Sequence, residues 1–551
     1  MTAIDLKKWE DKVKSELRGK AWETVFNKST ADGIPIPPVY TSKDRVQTSW
    51  TAKSTLNWSR VWRLEPGAQN QDILEVLGLG VDTLWIRFER TGENGHRSGW
   101  STTNLEQWKT LTAGVHLSML KIVVEMGDQA DEVKALFDAL CPDHPSIHFV
   151  SDRIAETLLG AAQASKPEAI LSSTSFAQLL GATPVQELEL HLRAWAMALD
   201  ANPEDPEGCA RTIQIQLPAD AHIFETVAKF RAIRQLWHAF WACCEVAVEP
   251  TITAVTSPRM MADVDEYTNI LRCTHAATGA ILGGCDALCI LPFDHRLARS
   301  TSESRRMSVI THAILEEESL LGCIQDPMSG SYYVEQLTDA IAEKTWTAFR
   351  SWSCTDGRTL VDSELSDRMA QAQQARSQAI ATRRLPLTSI SEFPNIEAEL
   401  VSRTTHWSVT SGRLSYDSDV FTDLRRRLMN TTPNPRLTIL CIGQEAQWTA
   451  RYHFTLNAFA VGGWSHVKRA ISDLSHLEAT LSDLSDDSPV CICAPNEVYT
   501  ELSAAGWTSK RAVYLAGSPK VANALGATPI HLGCDLRALL NALCDAQEVS
   551  Q

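Results

Sequence analysis

RLTILCIGQEAQWTA, residues 436–450, decides how this chain is read. Residues 437–442 are an apolar run of strand length, led in by Pro435. Gly443 follows, and a helical pattern starts near Thr449. This is the first strand, loop and helix of an α/β unit, where the loop normally meets a ligand. The loop reads Gly443, Gln444, Glu445, Ala446, Gln447, Trp448. It has no His or Cys to ligate a transition metal. Its single Gly makes no phosphate cradle. The position suits a cofactor, but the residues do not supply the chemistry.

Outward from this stretch, residues 435–551 alternate strand and helix. RLTILCI, HVKRA, VCICA, RAVYLA and PIHLG are strands, and LRALLNALCDA closes the chain. The pattern predicts a small flavodoxin-like parallel sheet. Upstream, eight β-rich runs lie between 60 and about 292: VWRLEP, DTLWIRF, KIVVEM, SIHFVS, EAILSS, RTIQIQL, TITAVT and DALCILPF. Helical stretches separate most of them. The clearest covers 222–245, with Ile223, Val227, Phe230, Trp237, Trp241 and Cys244 on one face. Arg234 falls on that stripe and reads as a paired structural residue; Arg231 falls off it and reads as solvated. The repeat predicts a (β/α)8 TIM barrel over 46–300, with a doubly wound open sheet as the competitor. Residues 301–434 read as helices followed by a linker with few core-forming residues from 397. Residues 1–45 form an arm: Leu6, Trp9, Val13 and Leu17 repeat at helical spacing, and the prolines of 31–44 favour an extended path. Such an arm packs either on its own chain or on a partner subunit.

At 551 residues, with 44% hydrophobic and 21% charged, the chain is a soluble multidomain protein. A net charge of −16 argues against nucleic acid or an anionic membrane surface as partner. No run of 18 apolar residues predicts a membrane span. The charged N-terminus is no signal peptide. Scattered Cys without C-x-x-C or H-E-x-x-H predict a cytoplasmic protein with no zinc site. His275, His295 and His312 stand isolated and read as hydrogen-bonded rather than as ligands.

Four further segments carry a resemblance. They are DGIPIPPVYTSKD (32–44), AKFRAIRQLW (228–237), VDEYTNILRCTHAATGAILGGCDALCILPFD (264–294) and DPMSGSYYVEQLT (326–338). In this order they resemble the methylmalonyl-CoA mutase family, cobalamin-dependent acyl-CoA mutases built as a barrel, a helical linker and a cobalamin-binding-type domain. The resemblance covers nearly the whole chain. It implies a radical rearrangement between (R)-methylmalonyl-CoA and succinyl-CoA, with adenosylcobalamin as cofactor. Asn269, Arg272, Tyr332 and Tyr333 lie in these motifs and read as structural.

The departures from the family pattern matter as much. Catalytic chains carry D-x-H-x-x-G after the first small-domain strand, with a Lys four residues before the Asp; the His ligates cobalt and the Asp orients it. Aligned on Gly443 and Gln444, those positions hold Cys441, Glu445, Gln447 and Ala450, and Trp448 adds bulk. Gly517, where the family uses glycines to admit the cofactor tail, reads as a turn. In the barrel, the family's Y-H-x-Q-x-x-G-A becomes a segment with Ser175 and Phe176 at the Tyr and His positions. Phe has no polar group for the thioester carbonyl. The pattern resembles the small, non-catalytic chains of the family. It implies a homologous large catalytic partner that binds the adenosylcobalamin and the acyl-CoA, with no cofactor, metal or catalytic residue on this chain. An acyl-CoA mutase active alone with an altered site, or a stand-alone mutase-derived binding protein, are the alternatives.

Overall fold

The eight β-rich runs close on one another. The computed structural model describes residues 3–19, 21–26, 28–46, 53, 56–142, 146–161, 169–297, 300–403, 406–410, 414–431, 436–484, 489–508 and 513–549. Pro435 and positions 168, 511 and 512, expected to open a domain and two strands, lie outside the described residues. Two compact units emerge: residues 1–260, 269–373 and 404–415 form the first, and 261–268, 374–403 and 416–551 the second.

The barrel strands are β1 (Ser59–Leu64), β2 (Thr83–Arg87), β3 (Lys121–Glu125), β4 (Ile147–Asp152), β5 (Ala169–Ser173), β6 (Ile213–Ala219), β7 (Thr251–Thr256) and β8 (Ala287–Cys289). They pair in sequence order, all parallel, and β8 returns to β1. Closure rules out the open sheet. Alternation sorts the side chains. Trp62, Leu64, Leu84, Ile86, Ile122 and Val124 pack outward with Ile73, Val76, Val133, Leu136 and Phe137 of the surrounding helices. The register therefore turns Arg63, Trp85, Arg87, Val123 and Glu125 toward the barrel axis.

The helix after β6 runs Ile223–Ala242, and its charged side is not solvated. The helix Tyr332–Ser353 lies over it, with Phe240 and Phe349 rings 5.9 Å apart and Phe224 and Tyr333 rings 5.5 Å apart. Arg231 is accordingly buried and ion-paired with Asp326, against the sequence reading. A one-sided stripe cannot reveal a second layer on the far side. Arg234 donates to Asp286 at 2.9 Å and to the Gly284 carbonyl at 3.0 Å, the paired role expected of it. Asn269 donates to the Phe293 carbonyl at 2.9 Å and accepts from Arg272 at 2.8 Å. Tyr333 packs against Tyr40, ring centroids 5.1 Å apart.

The N-terminal helix Ala3–Glu16 forms as its spacing predicts, yet Leu6, Trp9, Val13 and Leu17 remain only half-buried. The extended segment behind it docks on the barrel unit. Asp32 accepts from the Val185 amide at 3.2 Å and from the Thr183 hydroxyl, at the N-terminus of the helix Pro184–Ala201.

The second unit holds β9 (Arg436–Ile442), β10 (Ser465–Ile471), β11 (Val490–Cys493), β12 (Val513–Ala516) and β13 (Thr528–Ile530). They form one parallel sheet in the order β10-β9-β11-β12-β13. Both faces of β9 are buried, which is why its sequence is a continuous apolar run. Leu437, Ile439 and Cys441 join a core with Trp448, Phe459 and Leu540, while Leu440 and Ile442 join another with Leu477, Tyr499 and Leu502. No helix among the described residues is long and apolar enough to cross a membrane.

Candidate functional site

Barrels of this type work at the C-terminal ends of their strands. Here β2, β3 and β4 end in Arg87, Glu125 and Asp152, all buried. A hairpin after β2, Arg90–Gly92 and Gly95–Arg97, brings a second guanidinium. Glu125 accepts from Arg87 Nε at 2.8 Å, Arg97 Nη1 at 2.7 Å and Trp85 Nε1 at 2.9 Å. Burial opposes the Glu125 charge, but Arg87 and Arg97 outweigh burial and hold its carboxyl at about 2. Asp152 goes the other way: burial, reinforced by the Glu125 charge, pushes it up to about 8.

That shift has a pH consequence. The folded chain keeps the Asp152 proton that the unfolded chain gives up near 3.8. The associated stability is therefore complete below that value and disappears as pH rises to about 8. Asp152 also accepts the Ala155 amide at 3.1 Å as a helix cap, which Asn can do equally. Asp152→Asn is expected to lose less stability than wild type between about pH 5 and pH 8, by up to ~1.4 kcal/mol per pH unit. Urea midpoints at stepped pH check this, and parallel profiles for the two proteins would refute it.

A third strand completes the hairpin's sheet. Trp407–Val409 pairs antiparallel with Gly95–Arg97. Read from sequence as linker, this stretch instead returns to the barrel unit. Its buried Trp407 lies flat on Phe176, centroids 4.3 Å apart and planes at 17°. The guanidinium carbons of Arg87 and Arg97 lie 5.0 Å and 5.8 Å from the indole centroid. Phe176 is 1% exposed. Ser175 Oγ is buried and makes no hydrogen bond among the described residues. Gly181, just beyond, has φ +106°, and an added Cβ would stand 2.5 Å from Gln373 Cβ.

His295 is not isolated as its sequence context suggests. Glu65, His295 and His406 each offer a donor atom within 4.8 Å of the others, a ligand set divalent metals accept. The orientation does not converge. The two rings lie parallel, 3° apart in plane and 4.0 Å between centroids, so their in-plane lone pairs run side by side. Arg63 Nη2 lies 3.2 Å from His295 Nε2, and Glu65 lies 3.2 Å from its Nδ1. Arg63 can only donate, which assigns the His295 proton to Nδ1 and leaves neither ring nitrogen free. His406 Nε2 meets the His295 carbonyl at 3.0 Å. Burial lowers the pKa of both rings, keeping them neutral. The group latches the residue preceding Trp407. His275 and His312 are hydrogen-bonded, to the Leu271 carbonyl at 2.7 Å and to Trp58 Nε1 at 3.1 Å.

At the end of β9 the structure differs from the sequence reading. The helix starts at Glu445, not near Thr449, leaving Gly443 and Gln444 as the whole turn. The side chain of Gln447 reaches back to the Gln444 amide at 3.3 Å in a capping box. Trp448 is buried and donates to the Gly443 carbonyl at 3.1 Å. Glu445 is exposed, 3.6 Å from Lys468. Cys441 lies inside β9, fully buried, and Ala450 is exposed on the helix. Gly517 follows β12, its amide on the Ile530 carbonyl at 3.1 Å.

Compared with known proteins, the family model described as methylmalonyl-CoA mutase matches residues 114–406, more than half of the chain. The chain belongs to the methylmalonyl-CoA mutase family. It is 28% identical to the methylmalonyl-CoA mutase small subunit of Streptomyces virginiae, over 97% of this chain and 94% of that one. It is 25% identical to the small subunit of Propionibacterium freudenreichii subsp. shermanii, over 89% and 84%. It is 26% identical to the methylmalonyl-CoA mutase of Rhizobium meliloti, over 70% and 63%.

Against the cobalamin that the family implies, the residues after β9 do not fit. The turn and first helical residues offer no imidazole, the Gln447 amide is engaged in the cap, and a carboxamide is a poor ligand for cobalt. Trp448, next along the helix, is buried with its indole nitrogen on the Gly443 carbonyl. Sequence reasoning missed the Arg87, Arg97, Glu125 and Trp407 assembly. One signal was present: β2 and β3 are apolar runs that each end in a charge.

Proposed function

We propose that this chain is the non-catalytic small subunit of an adenosylcobalamin-dependent methylmalonyl-CoA mutase. A homologous large chain holds the cofactor and interconverts (R)-methylmalonyl-CoA and succinyl-CoA. The observation that carries this reading is Phe176 beneath Trp407: an apolar ring, itself covered, stands where the family pattern has an imidazole for the thioester carbonyl. None of Ser175, Phe176, Cys441, Glu445, Gln447 and Ala450 then performs the family role at its position. The strand order of the second unit supports a degenerate flavodoxin-like, cobalamin-binding-type domain over 435–551. The relatives' description as small subunits supports a larger partner. The half-buried apolar stripe of Ala3–Glu16 supports a subunit-contact role for the arm. The fourteen cysteines, all free thiols, support a reducing cytoplasm. The contribution of this chain is to stabilise the active partner by binding its folded form.

Two measurements test the reading. Titrated with cobalamin, the isolated chain is expected to leave the absorbance spectrum unchanged. Turnover is expected only when the large chain is present. Stoichiometric binding of base-off cobalamin, or turnover by this chain alone, would overturn it.

A further inference from the structure

The second unit carries a loop, residues 383–401, that is held in a strained shape: Leu385, Leu387, Ile390 and Leu400 pack on the core, while three apolar side chains face solvent. Three residues in it that are not glycine adopt left-handed backbone: Arg383 (φ 56°), Ser389 (φ 68°) and Phe393 (φ 52°). Bulky side chains resist this conformation, and it persists only where neighbours impose it. The neighbours are explicit. Asn457 accepts the Phe393 amide at 2.8 Å and donates to Glu392 at 2.8 Å. Arg425 donates to the Asn395 and Ile396 carbonyls, each at 2.7 Å. Arg383 is buried, its guanidinium carbon 4.7 Å from the Phe454 centroid.

All this bracing presents Phe393 at 82% exposure, with Ile396 at 39% and Val401 at 37% nearby in the same loop. A scattered exposed apolar residue needs no explanation. An aromatic held rigidly in an unfavourable backbone state, burying almost nothing, is different: it has the pre-organisation of an interface anchor. Glu397 and Glu399 follow it in the loop, both exposed, as is Arg384 before it. With a net charge of −16 on each copy, self-association is disfavoured.

We propose that residues 383–401 form a preformed docking loop whose Phe393 inserts into an apolar pocket, rimmed by basic side chains, on the larger mutase chain. This rests on the subunit reading above. Arg383, Arg425 and Asn457 are positioning residues, and Glu397 and Glu399 steer the encounter.

The test uses full-length protein and the D-x-H-x-x-G-bearing mutase chain of the same organism, immobilised for kinetic binding. Phe393→Ser and Phe393→Asn are expected to weaken affinity by about tenfold or more, mainly through faster dissociation. Phe393→Tyr should stay within about threefold of wild type. Asn tolerates the left-handed backbone, so the Asn variant should melt no lower than wild type while losing affinity. Reversing Glu397 and Glu399 to Lys should slow association and flatten its salt dependence. If wild type binds and the Ser and Asn variants bind as tightly, the docking loop is wrong and the subunit reading stands. If wild type does not bind at all, both fall.

Discussion

Glu125→Gln is expected to destabilise the barrel by about 3–5 kcal/mol. The carboxylate is fully buried and takes hydrogen bonds from two guanidinium groups and an indole. An amide of the same size leaves Arg87 and Arg97 facing each other with their shared counter-charge gone. Removing one member of a buried charged set costs far more than the set was worth, because the survivors cannot be rehydrated. Guanidinium unfolding followed by tryptophan fluorescence measures the loss. The double variant Glu125→Gln with Arg97→Met should recover part of it, since one stranded charge has gone. The wild-type contribution has its own pH signature: it is present above the ordinary value of 4.5 and is lost as pH falls toward about 2. A change below about 1 kcal/mol in the single variant would mean that water already reaches this cluster, since exposed ion pairs are worth that little.

Trp407→Ala should cost about 3–5 kcal/mol, the range for removing a buried tryptophan. Some ~1 kcal/mol of this belongs to the face-to-face contact with Phe176, and a double-mutant cycle with Phe176→Ala isolates it. Local release precedes global unfolding because, with the indole gone, Trp407–Val409 keeps only one neighbouring strand, Gly95–Arg97, and the His406 latch. Hydrogen exchange should therefore rise first in residues 95–98 and 406–410, before the barrel strands respond. Unaltered exchange there, with stability near wild type, would show that the indole contributes little to holding this segment.

Where side chains follow a regular period, the sequence announces the structure. All eight barrel strands and all five strands of the second sheet overlap runs read from the sequence; β9 is the plainest, because a strand buried on both faces leaves an unbroken apolar run, 437–442. Other features were illegible for separate reasons. The turn after β9 looked long because Gln444 and Gln447 are polar, yet they close a capping box and the helix begins between them. Arg231 looked solvated because the covering helix lies about a hundred residues later in the chain. His295 looked solitary because its partners, Glu65 and His406, are 230 and 111 positions away. The segment around Trp407 gave no strand signal because three residues cannot display an alternation. The stacking of Phe176 under an indole from far downstream was not readable either.

The chain leaves the barrel unit at residue 373, contributes 374–403 to the other unit, returns for 404–415, and leaves again. During synthesis on the ribosome, the strands of the barrel therefore emerge well before the tryptophan that covers its upper rim. The nascent barrel must wait, with Phe176 bare, while thirty residues destined for the other unit pass through the exit tunnel. Any dissection that ends the first unit near residue 373 recreates that unfinished stage, and the fragment should be insoluble unless residues 404–415 are supplied on a tether.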